Sequence, residues 1–136
     1  MQLNSSMSKN LLDTNLIIRF LVNDDPKKVL KVEKLLKDRS NKNILLDTII
    51  AEIIWVLGSY YELDKQDITQ KIRALIHVQT VECNAFLISW ALTLWKSYNI
   101  SFIDAYLASV AELGNIVLYS YDKKFSLIPT IETKEP

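Results

Sequence analysis

Ile44-Leu45-Leu46, followed within two residues by Ile49-Ile50-Ala51-Glu52-Ile53-Ile54-Trp55-Val56-Leu57, decides the fold. The first run is short and wholly apolar, as a buried strand would be. The second is too long for a strand. It reads as a helix from about Thr48 to Tyr61, so apolar that much of its circumference needs cover. A strand feeding directly into such a helix is a βα unit, and the same alternation recurs along the chain. Lys9 to Asp13 reads as a short first strand. Asp24-Asp25-Pro26 opens a helix with Val29, Val32, Leu35 and Leu36 at helical spacing.

Farther on, Asp64 or Asp67 caps a helix whose inward face is Ile68, Ile72, Leu75 and Ile76. Thr80-Val81-Glu82 is a weak third strand. Asn84 is expected to cap a helix carrying Phe86, Leu87, Trp90, Ala91, Leu94, Trp95 and Tyr98. Ser101 caps another, which should stop at Gly114 as a left-handed terminator. Ile116 to Ser120 is the clearest strand, and residues 127–132 would add an edge strand. Alternating strands and helices imply an α/β fold with parallel pairing and right-handed crossovers. Ligands in such sheets gather beyond the carboxyl ends of the strands.

The totals set bounds. The 136 residues suit one domain, here expected over 9–132, with a flexible lead over 1–8 and a frayed tail over 133–136. Half the residues are apolar and Gly and Pro are scarce, which excludes disorder. The 16 basic and 16 acidic side chains cancel, so bulk charge alone would not hold a nucleic acid. A single cysteine, Cys83, precludes an internal disulfide or a cysteine-based zinc site and suits a reducing cytoplasm. His77 is also alone. The first ten residues lack the apolar core of a signal peptide, and no apolar stretch is long enough to span a bilayer.

Four acids interrupt apolar surroundings: Asp13, Glu52, Asp104 and Asp122. Each has an ordinary explanation. Asp13 would end a strand through an Asx-turn with Thr14 and Asn15. Asp104, three residues after Ser101, matches a capping box. Asp122 before Lys123-Lys124 suits a turn residue or an ion-pair partner, whereas Glu52 is harder to explain away because Ile49, Trp55 and Val56 flank it on its helix. Jointly, the strand and helix boundaries place all four at one sheet edge. Burying unpaired carboxylates costs several kcal/mol each, a cost that a shared cation would remove. Carboxylates without His or Cys company suit a hard ion, Mg²⁺ or Mn²⁺. Such an ion activates water and holds phosphate oxygens.

Asp13-Thr14-Asn15 after a strand, the Ala51-Glu52-Ile53-Ile54-Trp55-Val56-Leu57 helix, Ser101-Phe102-Ile103-Asp104-Ala105 and Tyr119-Ser120-Tyr121-Asp122-Lys123-Lys124-Phe125 together resemble a PIN domain. More narrowly, they are similar to the VapC-type toxins of toxin–antitoxin pairs. The resemblance runs from about Asn10 to Ile128. It implies a three-layer α/β/α sandwich with strand order 3-2-1-4-5 and a Mg²⁺-dependent (or Mn²⁺-dependent) endoribonuclease. Asp13 and Asp104 would be the firmest metal ligands, Glu52 and Asp122 would complete the pocket, and Asn15 and Ser120 would support the ligands. The partners implied are RNA, with tRNA as the expected target class, a cognate antitoxin protein, and a second copy in a homodimer. Tyr119-Ser120-Tyr121-Asp122 departs from the family's commoner Thr-Phe-Asp or Ser-x-Asp form but keeps the hydroxyl and the acid.

The lysines from Lys27 to Lys42 with Arg39 are the only concentrated basic surface; a solvated helix face is the default and a phosphate rail the alternative. Trp90, Trp95 and Tyr98 are expected to be mostly core, with a share in a partner surface. Three rivals stand beside the toxin reading. A PIN-like nuclease outside a toxin–antitoxin pair keeps the chemistry. A phosphotransfer fold with Asp13 as nucleophile is weakened by Asn15, where a second acid is usual. A non-catalytic interaction module would leave the acids unused.

Overall fold

The computed structural model describes residues 8–136. The lead expected over 1–8 falls outside this range except for Ser8, which already belongs to the first strand. The chain divides into two compact units, Met1–Ala85 and Phe86–Pro136.

The first unit holds β1 (Ser8–Leu11), α1 (Thr14–Val22), α2 (Pro26–Lys37), β2 (Asn41–Ile44), α3 (Asp47–Ser59), α4 (Lys65–Ile76) and β3 (Val81–Glu82). Its sheet has the order β1-β2-β3 with both pairings parallel, in the register Leu11↔Ile44 and Ile44↔Glu82. The helix α1 was not anticipated. Its sequence, Thr14 to Val22, is apolar enough to read as loop-flanked core, yet it buries Thr14, Ile17 and Ile18 and closes on Asn23 in the left-handed region, φ 55°. Asp25 caps α2 by accepting from the Lys28 N–H at 3.3 Å, with Pro26 in the first turn. Asp64 caps α4 by accepting from the Asp67 N–H at 2.8 Å.

A buried polar chain pins this sheet. Asn43 is wholly buried. Its Oδ1 accepts from Asn10 Nδ2 at 3.0 Å, and its Nδ2 donates to Thr80 Oγ1 at 3.1 Å. Thr80 Oγ1 in turn donates to the Leu36 carbonyl at 2.6 Å. One amide thus ties β1, β2 and the approach to β3 to the last turn of α2. Sequence patterning gave no sign of it, because a lone Asn before an apolar run reads as a loop residue.

The second unit holds α5 (Ala85–Ser97, which begins at the boundary), α6 (Phe102–Gly114), β4 (Leu118–Tyr119), a 3-10 turn (Lys123–Leu127) and β5 (Thr133–Lys134). Strands β4 and β5 pair in parallel, Leu118↔Thr133 and Tyr119↔Lys134. The strand neighbours 3-2-1 and 4-5 are therefore those expected of the α/β fold. Several boundaries differ. The strand expected over Ile116 to Ser120 is only Leu118–Tyr119. The edge strand expected over 127–132 lies at Thr133–Lys134, inside the tail expected to fray, because Leu118 and Ser120 donate their N–H groups to the Glu132 and Lys134 carbonyls. Gly114 stays helical, and Asn115 is the left-handed terminator, φ 52°. Asn84 turns its side chain to Asp47 at 3.1 Å. Phe86, among the apolar residues carried by α5, is exposed; Ile88, Ala91, Leu92, Leu94 and Trp95 form the buried face.

Candidate functional site

Asp13 lies two residues past the end of β1 and is the N-cap residue of α1. Its backbone is extended (φ −95°, ψ 154°), and its carboxylate makes no capping hydrogen bond. The Asx-turn explanation of Asp13 is thus not what the structure shows. Thr14, next in sequence and buried, donates its hydroxyl to Glu52 Oε1 across to α3. Because β1 and β2 are parallel neighbours, α1 and α3 both start from the carboxyl edge of the sheet. The Thr14–Glu52 bond binds those two helices together beside Asp13. Sequence reasoning named Thr14 only as a neighbour of Asp13 and gave it no role; the available signal was a hydroxyl directly after the acid that ends the first strand.

Glu52 itself is exposed, as are Asp13 and Asn15. Ile50, Ile53, Ile54 and Leu57 take the buried arc of α3, so Glu52 and Trp55 face outward, Trp55 with 70% of its surface exposed. The burial cost that singled these acids out therefore does not arise at Asp13 or Glu52.

In the second unit, Ser101 Oγ accepts from the Asp104 N–H at 3.1 Å and starts α6. Only half of a capping box forms. The Asp104 carboxylate turns instead toward Lys124, whose Nζ lies 3.8 Å from Asp104 and 3.4 Å from Asp122. Asp104 is the less accessible acid, with 22% of its side chain exposed against 42% for Asp122. Ser120 Oγ accepts from the Asp122 N–H at 2.9 Å, and Asp122 Oδ1 accepts from the Lys124 N–H at 2.9 Å. These two bonds shape the turn after β4 so that Asp122 and Lys124 project together. The ion pair of Asp122 with Lys124 is the one its place before Lys123-Lys124 allowed; the approach of Lys124 to Asp104 was not foreseen.

The donor types bear on which ion would suit these acids. Among the described residues no group of three or more His, Cys, Asp and Glu side chains is gathered as a metal cage. The acids occur in their own units, one pair on Thr14 and its neighbour, the other around Lys124. All the donors are oxygens, which fits a hard cation. Softer chemistry has little to offer: burial and the nearby Asp47 carboxylate push the Cys83 thiol up, and His77 is exposed with Nδ1 2.7 Å from the Arg73 carbonyl.

A family model for the PIN domain matches residues 11–130, which spans every motif described above. The chain belongs to the PIN domain family. PIN domains are generally nucleases, and their divalent-metal chemistry agrees with an all-oxygen donor set. No curated protein matches the chain. Among solved structures, VapBC2 from Rickettsia felis bound to a DNA fragment from their promoter is similar over 93% of this PIN chain and 98% of that one, at 20% identity and a TM-score of 0.41. At that distance the likeness carries no argument about function. No helix among the described residues of this PIN domain is long and apolar enough to cross a membrane.

Proposed function

We propose that the chain is a Mg²⁺- or Mn²⁺-dependent endoribonuclease and the toxin member of a toxin–antitoxin pair. The observation that carries the nuclease reading is the PIN match across residues 11–130, with acids at 13, 52, 104 and 122 in the family's order. In this reading Asp13 and Asp104 hold the ion, and Glu52 and Asp122 complete the acidic pocket. The bound ion supplies charge for the phosphate oxygens and a more acidic water. The protein's part is positional. Thr14 fixes the direction of Glu52, leaving its second oxygen to accept a proton from an attacking water. Ser120 and Lys124 hold Asp122 in its turn. Asn15 supports the ligands beside Asp13.

The toxin part of the reading rests on the VapC-like form of the four motifs. It brings a cognate antitoxin and a homodimer as partners and tRNA as the target class. Trp95 is buried and Trp90 and Tyr98 are half-buried, in line with a mostly core role, while Trp55, Phe86 and Tyr121 are exposed and add apolar surface for a partner.

The test is to incubate the purified protein with total RNA, with Mg²⁺ and with EDTA, and to map the new ends. Cleavage that appears with Mg²⁺ and vanishes in chelator is the expected result. Fragments formed equally well in EDTA would sink the metal mechanism.

A further inference from the structure

The helix α2 carries Lys27, Lys31 and Lys34 at i, i+4 and i+7, which places them on one face. Val32 and Leu36, the buried residues of α2, lie on the opposite side, so this row is the outermost line of the helix. All three lysines are exposed, as is Lys28 beside them. The ammonium groups of Lys27, Lys28 and Lys31 make no ion pair among the described residues. Lys34 acts electrostatically on Asp38, whose carboxylate is already held by Ser40 at 2.7 Å. The one acid within α2, Glu33, lies off the row and pairs with Lys37 at 3.3 Å.

An ordinary solvated face mixes signs and satisfies them by i, i+4 pairs. This face does the reverse, in a chain whose total charge is zero. Segregating cations into one line repels them from one another, and an external polyanion removes that repulsion. The row spans about 10 Å. That length suits roughly two or three successive phosphates of a nucleic acid backbone. A lipid surface fits less well, because a helix lying in a bilayer uses its apolar face, and here Val32 and Leu36 are committed to the core. The helix is also held firmly: its last turn is tied to Thr80 and its first turn follows α1 after three residues, Asn23 to Asp25.

We infer that the Lys27–Lys31–Lys34 row of α2 is a phosphate-backbone rail for RNA, a site of affinity separate from the acids that cut. This rests on the ribonuclease reading above. The test measures binding of a short fluorescein-labelled single-stranded RNA by anisotropy in EDTA, where no cleavage competes, across a salt series. The variant Lys27→Glu/Lys31→Glu/Lys34→Glu is compared with Lys71→Glu/Lys96→Glu/Lys134→Glu, which changes the net charge equally from outside α2. Circular dichroism confirms that both are folded.

The rail variant is expected to bind at least tenfold more weakly than the control. Its salt slope should be shallower by roughly 0.7 per lost phosphate contact, about 2 in all. If the wild type binds but the rail variant matches the control in affinity and slope, the rail is overturned while the nuclease stands. If the wild type binds no RNA even at low salt, the ribonuclease reading itself falls. Binding to phosphatidylserine vesicles that depends on these lysines, without an RNA effect, would overturn the rail in favour of a membrane surface.

Discussion

Thr14 donates its hydroxyl to Glu52 Oε1, joining the first turn of α1 to the middle of α3. A hydrogen bond to a charged acceptor contributes about 1.5–3 kcal/mol, and here it also sets where the second carboxylate oxygen points. Thr14→Ala is expected to slow metal-dependent RNA cleavage about tenfold, with Thr14→Ser restoring most of the rate. Full activity in Thr14→Ala would show that Glu52 needs no such support.

The acids separate function from stability. Asp13→Asn and Asp104→Asn should each lower the cleavage rate on the order of a thousandfold, the equivalent of several kcal/mol of lost charge stabilisation. Neither should lower the melting temperature, because Asp13 caps nothing and the Asp104 carboxylate makes only a long contact to Lys124. A variant that lost activity only because it unfolded would contradict this.

Lys124 stands beside two of the acids that the proposed metal site would use. Its ammonium neutralises Asp104 and Asp122 and must compete with any divalent ion that they help to hold. Lys124→Met is expected to bind Mn²⁺ several-fold more tightly by titration calorimetry. Stability should change by less than about 1 kcal/mol, since the Lys124 ammonium stays half exposed and its contacts are long. Weaker Mn²⁺ binding would mean that Lys124 orders the acids rather than competing for them.

Asn43 predicts a stability effect far from any chemistry. Asn43→Ala leaves Asn10 Nδ2 without its acceptor and removes one donor each from Thr80 Oγ1, which keeps its bond to the Leu36 carbonyl, and from the Leu35 carbonyl, which still accepts from Asn41 Nδ2. The expected loss is about 2–3 kcal/mol in urea unfolding. A loss below 0.5 kcal/mol, on the order of an ordinary surface change, would show that the polar chain is dispensable.

Cys83 supplies the pH dependence. Burial first, and the Asp47 charge second, raise its thiol above the ordinary value of 9.0. A raised folded value means that the unfolded chain loses its proton first as pH rises. The stabilising contribution is complete below pH 9 and declines as pH climbs through the folded value. Alkylation by iodoacetamide at pH 8 should be slower than for a free thiol, and Cys83→Ala should flatten the fall in melting temperature above pH 9.

Sequence alone determined the class and, α1 apart, the alternation of elements, because periodicity and caps are local. Strand–helix alternation, the Asp25-Pro26 start, the Asp64 and Ser101 caps and the face Ile68-Ile72-Leu75-Ile76 are each written within a few residues, and each is found. The family motifs are equally local, so the four acids could be named in order. Boundaries that depend on a distant partner were not legible. Strand β5 exists because β4 is there to pair with it, and α1 is helical because its apolar side has a core to meet.

Only the tertiary structure decided which groups answer one another. Thr14 and Glu52 are 38 positions apart, and Asn43 and Thr80 are 37. No propensity links residues at such separations; parallel pairing and helix packing do. The same holds for exposure. Glu52 looked hemmed in by apolar neighbours, yet four other residues of α3 claimed the buried arc, and only packing decides which side of so apolar a helix faces water.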